Sequence, residues 1–127
     1  LHGELFKSRS TMDENRIYSM DGWELNMGDT CELGSQLRPH IVWFGEAVPE
    51  MESAIQLTRE AEIFVVIGTS LAVYPAASLL DFVDYSIPKF IIDPSIPPIH
   101  SMNTLFEIEK GAGEGVKELT QRLQEYR

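Results

Sequence analysis

Ile63-Phe64-Val65-Val66-Ile67 is an unbroken apolar run that stops at Gly68-Thr69-Ser70. β-branched and aromatic residues with no polar alternate predict a strand covered on both faces, as in parallel sheets. Parallel neighbours cannot be joined by a tight hairpin, so such a strand calls for helical crossovers around it. Upstream, Pro49 to Ala61 places Met51, Ile55 and Leu57 or Thr58 on one face and Glu50, Glu52, Arg59 and Glu60 on the other. That spacing predicts an amphipathic helix. Downstream, Pro75 can open a helix over Ala76–Asp84, because the missing N–H is harmless at a first helical position. Lys89–Ile92 reads as a further strand ending at Asp93-Pro94, and Leu105–Ile108 as another. Gly111-Ala112-Gly113 reads as a turn, and Val116, Leu119 and Leu123 mark the apolar face of a closing helix that runs to Tyr126. Strands alternating with helices imply an α/β fold, a parallel Rossmann-like sheet with flanking helices and right-handed crossovers.

The N-terminal part reads differently. Lys7 to Gln36 is polar and turn-rich, with Leu5 and Phe6 ahead of it as the candidate anchors. Arg16-Ile17-Tyr18 and Trp23-Glu24-Leu25 flank Asp21-Gly22, which is a hairpin signal and predicts a small antiparallel excursion. Leu37 to Glu46 then reads LRPHIVWFGE. Its apolar run Ile41-Val42-Trp43-Phe44 predicts a buried strand, with Trp43 turned toward the core, Gly45 ending it and Glu46 at its mouth.

Composition narrows the functions open to such a chain. Across 127 residues there are 10 basic and 20 acidic side chains, a net charge of -10. That argues against nucleic acid or an anionic membrane as the main partner, since both reward clustered Lys and Arg. Cys31 is the only cysteine. An internal disulfide and a four-cysteine zinc site are therefore excluded, and a reducing, cytoplasmic setting is expected. The opening Leu1-His2-Gly3 has no signal-peptide pattern, and the chain reads as part of something longer.

From the residues alone, Gly68-Thr69-Ser70 is the first candidate site. A glycine at a strand end lets backbone approach a phosphate or ribose, and two hydroxyls stand beside it. The plain alternative is an ordinary strand-to-helix turn, which favours the same residues. Asp93, at the next strand end, can accept from ribose hydroxyls or simply serve the turn before Pro94. His40 and His100 read as edge or surface residues, and His2 alone has no assignable role. No nucleophile elbow or paired-carboxylate pattern is present.

Four segments add a further reading. LHG at Leu1–Gly3, LRPHIVWFGE at Leu37–Glu46, VVIGTSLAVYPAA at Val65–Ala77 and FIID at Phe90–Asp93 resemble, in order and spacing, the sirtuins, the NAD-dependent protein-lysine deacylases. The resemblance spans essentially the whole chain and is nearest to bacterial members. It implies that His2 is the catalytic general base acting on a ribose hydroxyl of NAD, a role imidazoles suit because they titrate near neutrality. It implies that Val42 and Phe44 line the tunnel for the acyl-lysine side chain. Gly45-Glu46-Ala47 and Leu71-Ala72-Val73 would be the two backbone edges that sandwich the substrate peptide as an added strand. Gly68, Thr69 and Ser70, then Asp93, Pro94 and Ser95, and finally Ala112 would hold NAD. The implied partners are acyl-lysine proteins or peptides.

Three departures accompany the resemblance. The family's glycine-rich NAD loop and its Gln-Asn-Ile-Asp motif are not in this sequence. Only Cys31 stands where the family usually has two cysteine pairs, so no zinc is expected, and Trp23, Leu25, Met27 and hairpin pairing would hold residues 9–36 together. Asp93 replaces the common Asn and offers no amide donor. The expected organisation is a Rossmann-like domain from 1–8 and 37–127 with a small insertion at 9–36. The expected activity is lysine deacylation by a C-terminal part that is inactive alone. A non-catalytic nucleotide- or peptide-binding module on the same scaffold is the alternative.

Overall fold

The structure is a computed structural model that describes residues 1–100 and 102–124. The fold belongs to the expected α/β class. Its elements run β1 (Gly3–Ser10), β2 (Ile17–Ser19), β3 (Leu37–Ile41), α1 (Met51–Arg59), β4 (Phe64–Ile67), a 3₁₀ helix (Ala76–Phe82), β5 (Lys89–Ile92), β6 (Leu105–Ile108) and α2 (Ala112–Leu123). They form two compact units, Leu1–Glu50 and Met51–Arg127.

The second unit carries the parallel sheet, in the order β4-β5-β6. β5 is central and buried along its whole length, while the edge strand β4 is only half-buried and Ile67 is exposed. The two-faced cover predicted for Ile63–Ile67 therefore belongs to Lys89–Ile92, where Phe90 and Ile92 pack with Ile108 and Leu119 and Ile91 is buried as well. Phe90, Ile92, Ile108 and Leu119 form the core, and Phe90 stacks on Phe106 with ring centroids 5.1 Å apart. In α1 the inner face ends on Thr58, not Leu57, which is 70% exposed. The helix after Pro75 is a 3₁₀ helix that stops at Phe82. Ala112 and Gly113, expected in a turn, are the first residues of α2, with Gly111 as its cap. Tyr126 lies outside the described residues. Lys89 is buried at the start of β5, where its Nζ donates to the Ile87 and Tyr85 carbonyls at 2.9 and 3.2 Å. Burial pushes its pKa down, against the opposing pull of Asp84.

The first unit is an antiparallel sheet ordered β2-β1-β3. β2 pairs with β1 (Lys7↔Ser19, Arg9↔Ile17), so the expected hairpin across Asp21-Gly22 does not form. Leu5 and Phe6 lie on β1 at 78% and 61% exposure and anchor nothing here. β3 runs over Leu37–Ile41 and contains Pro39, where a buried strand over Ile41–Phe44 was expected. The reason is position: β3 is an edge strand, and only an edge tolerates a residue with no N–H to donate. Residues 9–36 are held by polar contacts, not by Trp23 and Met27, which are 80% and 91% exposed. Gln36 Nε2 reaches three carbonyls, those of Asn26, Asp29 and Leu37, at 3.0 Å each. Arg16 pairs with Asp13 and Glu32, and Tyr18 donates to Glu32. Cys31 is buried against the Ser10 hydroxyl. Burial pushes its thiol up, but the hydrogen bonds from Ser10, Leu33 and Ser35 outweigh that and leave its pKa lowered.

Candidate functional site

In the first unit the chain start is locked to the end of β3. Gly3 pairs with Ile41, and the Val42 N–H donates to the His2 carbonyl at 3.0 Å. Gly3 sits at φ +95°, and a Cβ there would lie 2.0 Å from the His40 carbonyl oxygen. Only glycine fits that crossing. His2 is exposed beside it, while Val42 is half-buried and lines a cavity of about 70 Å³ with Gly3, Arg9 and His40. Nδ1 of His40 is buried there without a hydrogen-bond partner.

After Val42 the backbone turns. The Glu46 N–H donates to the Trp43 carbonyl at 3.1 Å, and Gly45 takes φ +87°. Phe44, at the apex, is 96% exposed. Trp43 is half exposed, with the Arg38 guanidinium 3.9 Å above its ring, and does not enter the core as expected. Glu46 is the hub. Its carboxylate accepts from Arg38 Nη1 and Nη2 at 2.5 and 3.0 Å, from the Trp43 N–H at 2.9 Å and from Arg9 Nη2 at 3.4 Å. The hydrogen bonds from Arg38 and the Trp43 backbone hold its pKa down to about 2.

In the second unit the C-terminal ends of the parallel strands come together. The Gly68 N–H donates to the Ile92 carbonyl at 2.9 Å, and the Asp93 N–H to the Ile108 carbonyl at 3.3 Å. Gly68 and Asp93 thus stand side by side at the sheet edge where α/β folds take their ligands. Gly68 has φ +67° and open space where a side chain would be. Thr69 Oγ1 accepts from the Leu71 N–H at 3.2 Å, and Leu71 itself holds φ +53°. Asp93 Oδ1 accepts from the Ser95 N–H at 2.8 Å, fixing the turn through Pro94. Pro94 and Ser95 are exposed, as are Ser70, Ala72 and Val73. α2 begins one strand over, with Ala112 exposed and no side chain capping that end. Such an end favours anions through its first N–H groups. The close approach of α2 to β5 rests on Gly115, where a Cβ would lie 2.2 Å from Ile92 Cγ2.

The residues singled out in the sequence therefore form two sets. His2, Val42, Phe44, Gly45 and Glu46 share the first unit, and Gly68, Thr69, Ser70, Leu71, Val73, Asp93, Pro94, Ser95 and Ala112 share the second. Sequence reading missed Arg9 and Arg38, because nothing local shows that they face each other across β1 and β3. Among the described residues, no group of three or more His, Cys, Asp or Glu is placed to hold a metal ion. None of the described helices is long and apolar enough to cross a membrane.

Comparison with known proteins gives a consistent picture. A family model described as the Sir2 family matches residues 1–75. An NAD-dependent protein deacylase of Bacteroides thetaiotaomicron is 47% identical over 97% of this chain and 55% of its own length. A crystal structure of a Sir2 homolog in complex with NAD superposes with a TM-score of 0.81 at 30% identity, over 99% of this chain and 50% of that one. Sir2Tm bound to a propionylated peptide gives 0.71 at 27% identity, over 96% and 54%. The chain spans about half the length of the relatives it matches.

Proposed function

The chain belongs to the Sir2 family, and on that premise we propose that it is the C-terminal part of an NAD-dependent protein-lysine deacylase. The observation that carries this reading is the backbone bond from Val42 to His2. It fixes the residue matching the family's catalytic histidine against a residue matching its acyl-lysine wall. His2 would take a proton from a ribose hydroxyl, and Val42 and Phe44 would line the path of the acylated side chain. The backbones of Gly45–Ala47 and Leu71–Val73 would pair with the substrate peptide.

The second-unit edge fits NAD at its ribose and adenine side. Gly68 leaves room for a sugar, Thr69 and Ser70 bring hydroxyls, and Asp93 is a carboxylate suited to ribose hydroxyls. The uncapped start of α2 at Ala112 suits the adenine-side turn, and no Lys or Arg stands within this set. When bound, NAD supplies the electrophilic ribose carbon that takes the acyl oxygen. The chain's own part is to seat the ribose, orient the acyl group and hold the proton at His2.

In the longer protein, residues 1–8 and 37–127 would belong to the Rossmann-like domain and 9–36 to its small insertion. The partners are acyl-lysine proteins or peptides in the cytoplasm. The net charge of -10 gives nucleic acid and anionic membrane little to bind. Without the glycine-rich loop and the Gln-Asn-Ile-Asp motif, the 127-residue chain alone would not turn over.

The test is an NAD-dependent deacylation assay on the full-length enzyme, its His2→Tyr variant and the 127-residue chain. The parent enzyme should release nicotinamide and deacylated peptide. His2→Tyr should lose about 10²–10⁴-fold in turnover, the range a positioned base contributes, while keeping its circular dichroism spectrum. The isolated chain should show none. Turnover retained by His2→Tyr, or by the isolated chain, would overturn the assignment.

A further inference from the structure

Arg9 and Arg38 are direct cross-strand partners in the β1–β3 register, and their side chains are only 11% and 17% exposed. Like charges facing each other across a strand pair repel, and buried guanidinium groups without a counter-ion are costly. Glu46 answers both with one carboxylate, and Glu14 adds a looser contact to Arg9 at 4.0 Å. Glu46 takes the Arg38 fork on its two oxygens, receives Arg9 on Oε2, and uses that same oxygen to accept the Trp43 N–H. Arg38 also donates to the Ile41 carbonyl at 3.3 Å and stacks over Trp43. The turn from Trp43 to Glu46 is thereby tied, at both its backbone start and its end, to two rigid strands. Phe44 and Gly45, between the ties, are left exposed and make no such contact.

We propose that Glu46 is a positioning residue: with Arg38 and Arg9 it clamps the 42–46 turn so that Val42, Phe44 and the Gly45 backbone are presented to the acylated peptide in a fixed geometry. This rests on the deacylase reading and deepens it. Both oxygens of the Glu46 carboxylate are taken up by Arg38, Arg9 and the Trp43 N–H, so its effect on substrate would pass through the turn. The depressed pKa of Glu46 agrees, since the clamp stays ionised throughout the range in which an imidazole titrates.

The experiment is steady-state kinetics on the full-length enzyme with Glu46→Gln, which is nearly isosteric and removes the charge. The peptide KM should rise about tenfold, while the NAD KM and kcat stay within about twofold, because a loosened turn weakens peptide binding without touching the base. Glu46→Asp, which keeps the charge on a shorter arm, should recover part of the loss. A purely structural role would lower the unfolding temperature and leave both KM values alone; that result overturns the proposal, as does a fall in kcat with the peptide KM unchanged. Should Glu46→Gln fail to fold, Arg38→Lys keeps the cation but loses the fork and the stacking. It should show the same split, and an unchanged peptide KM there is equally fatal. His2→Tyr is run alongside: if it retains turnover, the deacylase reading fails by itself. The clamp is then read separately from Trp43 emission, taken as the difference between each enzyme and its Trp43→Phe counterpart. Glu46→Gln should shift that emission to the red, and an unshifted spectrum overturns the clamp.

Discussion

At the scale of single residues, Gly3 and Glu46 govern the N-terminal unit for opposite reasons. Gly3 matters for what it lacks. With φ at +95° and the His40 carbonyl oxygen 2.0 Å from where a Cβ would stand, any side chain forces β1 and β3 apart. Gly3→Ala should destabilise the unit by about 2–3 kcal/mol, combining left-handed strain with overpacking against backbone. Urea unfolding checks this, and a parent-like midpoint would mean the crossing is looser than described. Glu46 matters for what it gathers. The motif LRPHIVWFGE was legible as a unit with Glu46 at its strand mouth, and in the structure the Glu46 carboxylate is an internal tie. Arg9 is 37 residues from Glu46, so no local pattern could show that they meet.

At the scale of elements, β5 and β6 lie where their apolar runs predicted them, at Lys89–Ile92 and Leu105–Ile108. Short runs between prolines and turns leave little freedom in where a strand can begin. β3 shows the opposite case. The stretch with the strongest strand propensity, Val42 to Phe44, lies outside any strand, while Arg38-Pro39 lies inside one. Tertiary pairing decided, because β1 offered an edge and Glu46 pulled the next residues into a turn. In α2 two glycines with the same local look differ in surroundings. Gly115 lies against Ile92, so Gly115→Val should cost about 1–3 kcal/mol by overpacking a filled core. Gly113 has open space for 4 Å around the point where a methyl group would stand, so Gly113→Ala should gain up to about 1 kcal/mol of helix propensity. Thermal unfolding of the two variants separates them, and shifts of the same sign would contradict the packing of α2 on β5.

At the scale of the whole molecule, the carboxylates with shifted pKa values among the described residues, Glu4 beside Lys7 included, are all shifted the same way. Hydrogen bonds from Arg38 and Trp43 hold Glu46 at about 2, those from Tyr18 lower Glu32, those from Lys110 and Arg122 lower Glu118, and those from Ser86 lower Asp84. Each contributes stability that is fully present above the ordinary carboxylate value of about 4–4.5 and is lost as pH falls through the folded value. The chain should therefore hold its stability from neutrality down to about pH 4.5, then lose it steeply toward pH 2. Glu46→Gln should flatten the lower part of that fall; an unchanged acid profile would remove Glu46 from the cause. The sequence by itself determined the α/β class, the positions of β5, β6 and α1, and the motifs that mark the family, because hydrophobic period and turn residues act over a few neighbours. Only the tertiary structure decided that β2 pairs with β1, that β3 ends at Ile41, and that Glu46 binds two arginines. Those outcomes depend on strand register and on desolvated charge, and both join residues that are far apart along the chain.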